Sequence, residues 1–265
     1  MNFKVLCSDL DGTLLSTKND VSEFTVSEIN RIKENLRIIL VSARMPKSMA
    51  YLQKRMAIQE NPIICYNGAL ILENDKELSS TMVSSENTEL LNTLCQSYQI
   101  KLGLYCKDEW CVSETSERVK KEVFNTKANP IFESTEQTIE RWGKRNRGPH
   151  KIMLMGTKVS MDQITQKLAD GFSNYINYYR SNDTLIEIAP KSVSKLSAIK
   201  SLLKPNESLD EVIAFGDNYN DIEMLKHVGF GVAVENARKE VKDIAKKVTL
   251  SNTEHGVAQF IKDHL

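Results

Sequence analysis

Neither sign of charge dominates this chain of 265 residues: Lys and Arg total 35, and Asp and Glu total 35. Without a basic surplus there is no field to hold nucleic acid, and without an acidic one there is no solvating tail. Any phosphate must therefore be held by local groups. The five cysteines, Cys7, Cys65, Cys95, Cys106 and Cys111, are odd in number and lack the spacing of a zinc pair. Free thiols in a reducing compartment are the expectation. The four histidines, His150, His227, His255 and His264, share no spacing that suggests a metal pair, and surface or packing roles are expected for them. No apolar run reaches membrane-spanning length, and the first residues lack the basic–apolar–small order of a secretory signal. A cytoplasmic protein with no membrane partner is expected. Internal repeats and low-complexity segments are also missing. At 41% hydrophobic residues the chain can build a sizeable core, and its length suits one large domain or two modest ones.

What is present is organised around residues 3–15. Val5-Leu6-Cys7 is a short apolar run ending at a turn signal, which reads as a buried strand. Asp9 and Asp11 follow, one residue apart, and Gly12 lets the chain turn sharply. In extended backbone two such side chains face one spot, here the carboxyl end of a strand, where open α/β sheets bind ligands. Two close carboxylates repel unless a cation neutralises them, so the pair asks for a metal ion. Aspartates after strands also serve as plain turn caps, and the pair alone does not separate the two uses.

Further along, Thr25-Val26-Ser27-Glu28 matches a capping box and predicts a helix to about Asn35. The run 37–41 reads as a second strand ending at Ser42-Ala43-Arg44, and Pro46 suits the first turn of a helix to about Ala57. A third strand, 62–66, ends in the turn dipeptide Asn67-Gly68. From about 84 the rhythm changes. The pattern predicts a helix over 85–98, a hairpin over 102–106 and 110–113, helical stretches near 116–125 and 135–145, a strand over 151–155, a helix near 159–172 and a strand over 175–180. Strand–helix alternation resumes with 185–189. Helices near 194–204, 218–228 and 238–246 then alternate with strands 212–215 and 231–234, and Ser251-Asn252-Thr253-Glu254 caps a last helix. The predicted architecture is α/β: a doubly wound parallel-sheet core, residues 1–83 and 184–265, interrupted by an inserted α+β domain over 84–183.

Asp9-Leu10-Asp11-Gly12-Thr13 resembles the first motif of the haloacid dehalogenase (HAD) superfamily of phosphatases, whose first Asp is the nucleophile and second the general acid/base. Gly216-Asp217-Asn218-Tyr219-Asn220-Asp221, after the predicted strand 212–215, matches the family's last motif in full. Only 31 positions separate Asp11 from Ser42, so the large insert lies after Ser42, as in the C2-capped subgroup called Cof-type. Two departures stand out. Ser42-Ala43-Arg44 replaces the subgroup's usual Thr-Gly-Arg, and Leu196 rather than Gly follows Lys195. Ser42 read alone is an N-cap. Lys195 read alone opposes a helix macrodipole that a bound anion would reverse.

The resemblance implies a Rossmann-like HAD core and catalytic roles for Asp9, Asp11, Ser42 and Lys195. It implies substrate contacts from Leu10, Ser42, Ala43, Arg44, Asn67, Gly68, Lys195 and Asn220. It implies Mg²⁺ held by Asp9, Asp11 (through its backbone carbonyl) and Asp217, with Asp221 either in the metal shell or orienting Lys195. The activity implied is Mg²⁺-dependent hydrolysis of small phosphorylated metabolites, foremost sugar phosphates, through an aspartyl-phosphate. A phosphotransferase or phosphomutase on the same core, and a phosphate-binding regulator without turnover, are the alternatives. The insert is expected to close over the site and select the leaving group, its hairpin at 106–110 reaching toward it. Most insert aromatics, Tyr105, Trp110 and Trp142 among them, are expected in packing.

Overall fold

A computed structural model describes residues 3–17 and 19–265. Residues 14–21 read from sequence as a polar loop; Lys18 within them lies outside the described residues. Two compact units are present. One runs to Leu78 and resumes with Ser194–Leu265; the other is Ser79–Val193.

The chain begins with β1 (Val5–Ser8), α1 (Glu23–Ile32), β2 (Arg37–Val41), α2 (Lys47–Met56), β3 (Ile63–Cys65), β4 (Leu70–Glu73) and β5 (Lys76–Ser80). The second unit continues with α3 (Ser85–Gln96), β6 (Lys101–Cys106), β7 (Glu109–Val112), α4 (Glu117–Thr126), β8 (Ile131–Phe132), α5 (Thr135–Gly143), β9 (Lys151–Met155), α6 (Lys158–Gly171), β10 (Ile176–Asn182) and β11 (Leu185–Pro190). The first unit then resumes with α7 (Lys195–Leu202), β12 (Val212–Gly216), α8 (Ile222–His227), β13 (Phe230–Val234), α9 (Lys239–Ile244), β14 (Lys247–Thr249) and α10 (Gly256–His264).

Among the described residues, one sheet has the order β14-β13-β12-β1-β2-β3-β4-β5 and the other the order β10-β11-β9-β6-β7-β8. The first is parallel from β14 to β3 and turns antiparallel at β4. Val5, Leu6, Cys7, Ile38 to Val41 and Val212 to Phe215 are fully buried. A parallel sheet is covered on both faces, so its central strands are continuous apolar runs without a solvent side. That is why these strands were readable from composition alone.

The differences from expectation have local causes. Helix α1 starts before the predicted capping box, because Ser22 caps it by accepting the Thr25 N–H. Strands β4, β5, β8 and β14 were not expected. β5, β8 and β14 are short or polar and lie at sheet edges, where no apolar run is needed, whereas β4 is a four-residue apolar run between β3 and β5 that follows the Asn67-Gly68 turn closely. Strand β11 pairs with β9 and β10 in the smaller sheet, instead of opening the second half of the core. The inserted unit therefore exceeds residues 84–183 at both ends.

In that unit Leu102, Leu104, Ile152, Leu154, Ile186 and Ile188 share a core with Leu91, Trp142 and Ile164 from α3, α5 and α6. Trp110 stacks on Tyr105 with ring centroids 5.4 Å apart and is 1% exposed, so this hairpin aromatic is committed to packing. All five cysteines are free and buried. Among the described residues, no helix is long and apolar enough to cross a membrane.

Candidate active site

Strands β12, β1 and β2 are adjacent and parallel, so the residues after their carboxyl ends converge: Asp217, Asp9 and Ser42. Sheet order runs from β1 to β2 and β3 on one side and to β12, β13 and β14 on the other. Asp9 thus lies at the topological switch point, the usual ligand crevice of an open α/β sheet.

The Asp9 N–H donates to the Phe215 carbonyl at 3.0 Å, which ties the residue to the β12 end. A wide turn over Leu10–Leu14 follows, closed by the Leu14 N–H on the Asp9 carbonyl and the Leu15 N–H on the Leu10 carbonyl. Gly12 in this turn has φ of +85°, and a Cβ there would lie 2.6 Å from Asp217 Oδ2. Glycine lets the turn lie against the opposite acid. The Thr13 hydroxyl donates to Asp217 Oδ1 at 3.2 Å, and Asn236 donates its amide to the Gly12 carbonyl at 2.8 Å. Sequence reasoning assigned neither residue a role. Thr13 stood inside the first motif; Asn236 carries no signal.

Lys195 opens α7 and is 1% exposed. Its Nζ donates to Asp9 Oδ1 and to Asp221 Oδ1, each at 2.6 Å. Burial opposes its charge, yet Asp221 and Asp9 outweigh burial and raise its pKa. The cation at a helix start is thereby explained without a bound anion. The other Asp221 oxygen accepts the Asp217 and Asn218 N–H groups, each at 3.0 Å. Both Asp221 oxygens are thus occupied, which fits orienting Lys195 and shaping the Asp217 loop. Leu196, the departure from Gly, is buried at 2% exposure.

Asp9, Asp217 and Asp221 each offer an oxygen within 4.8 Å of the others. Two of the three carboxylates, Asp9 and Asp221, bond the one ammonium, and hard anionic oxygens in that excess suit Mg²⁺. Burial and then mutual repulsion push Asp217 up to about 8. Burial, against the pull of Lys195, pushes Asp9 up to about 7. Folded pKa values above the unfolded 3.8 mean that the folded protein holds protons the unfolded chain has released. Metal-free stability is therefore greatest below 3.8 for this pair and falls as pH rises through about 7 to about 8. A cation competes with those protons. A divalent cation bound at this cluster should raise the melting temperature more above pH about 8 than below about 7, by thermal denaturation. Equal shifts on both sides would contradict the electrostatic account.

Other predicted residues fall around this centre with different partners. The Asp11 carboxylate is half-exposed and is gripped by Arg44, Nε on Oδ2 and Nη2 on Oδ1, both at 2.7 Å. It stands outside the acidic cluster, so only its backbone is available for the metal role expected of it. The Ser42 hydroxyl accepts the Arg44 N–H at 3.2 Å in a local turn and keeps its own proton to donate; it caps no helix, because α2 begins at Lys47 with Pro46 as its N-cap. Ala43, between them, is partly exposed. Asn220 donates to the Asn67 side-chain oxygen at 3.0 Å, joining the β12 and β3 loops. Gly68 has φ of +107°, and a Cβ there would meet the Ser194 carbonyl at 2.5 Å, so glycine admits the start of α7 and with it Lys195. Cys7, two residues before Asp9, is no rival nucleophile, since burial pushes its thiol up to about 12.

A family model described as haloacid dehalogenase-like hydrolase matches residues 6–261. The chain belongs to this family. It is a HAD superfamily enzyme of the Cof type, with the α/β core and inserted unit expected of one. A putative phosphatase of Haemophilus influenzae is 30% identical over 99% of this chain and 98% of its own length. A 5-amino-6-(5-phospho-D-ribitylamino)uracil phosphatase of Bacillus subtilis is 26% identical over 98% of this chain and 97% of its own. A haloacid dehalogenase-like hydrolase from Bacteroides thetaiotaomicron superposes with a TM-score of 0.88 at 26% identity, covering 99% of this chain and all of that one (100%).

Proposed function

We propose that this phosphatase is a Mg²⁺-dependent hydrolase of small phosphorylated metabolites, foremost sugar phosphates, that carries the phosphoryl group on Asp9. The observation that carries the reading is the buried Asp9 carboxylate at the switch point, with Lys195 bonded to Oδ1 and Asp217 facing it. The Asp9 carboxylate is the nucleophile, and Lys195 bonded to Oδ1 holds its orientation. It attacks phosphorus in line, the bond to the leaving oxygen breaks, and Asp11 gives that oxygen a proton. Water then attacks the same phosphorus, Asp11 takes the water's proton, and the acyl–phosphate P–O bond breaks to return the Asp9 carboxylate. Lys195, the Ser42 hydroxyl and the N–H groups of Leu10 and Ala43 stabilise the non-bridging oxygens. Asn67, Gly68 and Asn220 shape the phosphate-facing loops. Mg²⁺, held by Asp9, Asp217 and the Asp11 carbonyl, would supply Lewis-acid neutralisation of the phosphoryl charge. Asp221 orients Lys195.

Apart from Asp11, which serves the leaving oxygen of any ester alike, these residues address the phosphoryl group, and we assign leaving-group choice to the inserted unit. The Bacillus subtilis relative, named for a phosphate ester on a ribityl chain, supports a small polyhydroxylated metabolite as substrate. The test is a panel of phosphorylated sugars, nucleotides and cofactors, scored for released phosphate with Mg²⁺, Ca²⁺ or EDTA. Turnover should need Mg²⁺, vanish in EDTA and recover poorly with Ca²⁺, which favours larger and looser coordination. Full activity in metal-free buffer, or no turnover of any ester, would refute the proposal.

A further inference from the structure

We infer that Arg44 is a positioning residue for Asp11, holding the carboxylate that serves the leaving oxygen, and is not a ligand of the phosphate. The inference rests on the proton-transfer role proposed for Asp11 above. Both oxygens of Asp11 accept from one edge of the guanidinium, Nε and Nη2, at 2.7 Å each. This planar fork fixes the orientation of a carboxylate as well as its place, which a single point charge cannot do. A phosphate could use that edge only by displacing Asp11.

The two partners differ in freedom. The Arg44 side chain is 2% exposed and that of Asp11 50%, so the arginine is the fixed half of the pair. Its main chain is anchored on both sides: the N–H donates to Ser42 Oγ at 3.2 Å, and the carbonyl accepts the Tyr66 N–H at 3.2 Å. From the far side of the fork Nη1 donates to the Tyr51 hydroxyl at 3.4 Å, and that hydroxyl donates to the Asn19 carbonyl. Asn19 belongs to the segment that leaves the Asp9–Leu15 turn. The fork is thus braced by α2 and by the loop that follows the catalytic turn, while Asp11 presents its other side to solvent.

The test compares Arg44→Met, Arg44→Lys and Asp11→Asn, and the double variant Arg44→Met/Asp11→Asn, on phenyl phosphate and para-nitrophenyl phosphate. The two esters share a shape and differ in how much the leaving oxygen needs a proton. Arg44→Met should lower kcat about 10²-fold on phenyl phosphate and less than about 10-fold on the nitrophenyl ester, the pattern of a lost general acid. KM and inhibition by inorganic phosphate should stay near wild type. Arg44→Lys keeps the charge without the fork and should recover only part of the loss. In the Asp11→Asn background Arg44→Met should add little, since the two act as a unit. The Mg²⁺-induced shift in melting temperature should match wild type, which separates mispositioning from damage to the metal site.

Equal loss on both esters, a raised KM with weakened phosphate inhibition, or additive effects in the double variant would overturn the inference. If Asp11→Asn discriminates between the esters and Arg44→Met does not, the positioning role alone falls. If Asp11→Asn discriminates between neither, the acid assignment falls and the positioning role falls with it.

Discussion

Asp9→Asn should abolish turnover of every phosphate ester, nitrophenyl phosphate included. An amide nitrogen or oxygen forms no stable acyl phosphate under these conditions, so the first step has no nucleophile. Loss of a nucleophile that acts as part of a unit lowers kcat by a factor on the order of 10⁵ to 10⁶. The fold should survive, because the substitution removes one charge from a crowded acidic cluster and leaves Lys195 its bond to Asp221. Phosphate release and thermal denaturation together check the prediction: silent chemistry in a protein that melts no lower than wild type. A well-folded Asp9→Asn variant that still hydrolysed the activated ester at a substantial rate would show that another group attacks phosphorus.

Lys195→Met should damage both stability and rate. The ammonium is the bonded cation of Asp9 and Asp221, with side chains exposed by 1%, 7% and 0% in the order Lys195, Asp9, Asp221. Removing one partner of a buried ion pair leaves uncompensated charge and costs about 3–5 kcal/mol. Solvent offers little screening at this burial. Urea denaturation without metal should show a loss of that size, and Mg²⁺ should restore part of it by neutralising Asp9 and Asp217. Turnover should fall on the order of 10² to 10³, the scale of removing one transition-state donor, even where Mg²⁺ has repaired the fold. Adding Asp221→Asn should recover stability, because an excess carboxylate is gone, and should recover no rate. A Lys195→Met protein of wild-type stability and activity would contradict the charge balance described here.

The parts of the fold that could be read from sequence were those where one physical demand decides the residues. β1, β2, β12 and β13 are buried on both faces, and their apolar runs marked them. β5 is exposed and polar, so composition hid it, although Asn74 and Asp75 at φ of 50° and 61° form the tight turn that an Asn-Asp pair advertises. β11 misled for a related reason. Leu185–Pro190 is as apolar as a core strand, and hydrophobicity does not tell which of two sheets a strand joins.

The site divides in the same way. Asp9, Asp217 and Asp221 sat in motifs whose spacing reflects the strand-end geometry that brings them together. Lys195 was legible as a cation where the helix dipole disfavours one. The partners of Asp11 were not legible. The fork of Arg44 onto Asp11 has no signal in the residues around either, and the Tyr51 brace depends on how α2 packs, which no local pattern records.

The most direct measurement is rapid acid quench of the enzyme with phosphate-labelled para-nitrophenyl phosphate, followed by mapping of the labelled peptide. The Asp11→Asn protein is the informative partner, since loss of the base should slow hydrolysis of the intermediate and let it accumulate. The account predicts label on the peptide that contains Asp9, at higher occupancy in Asp11→Asn than in wild type. Label at any other residue, or no covalent species in either protein at the shortest quench times, would contradict it.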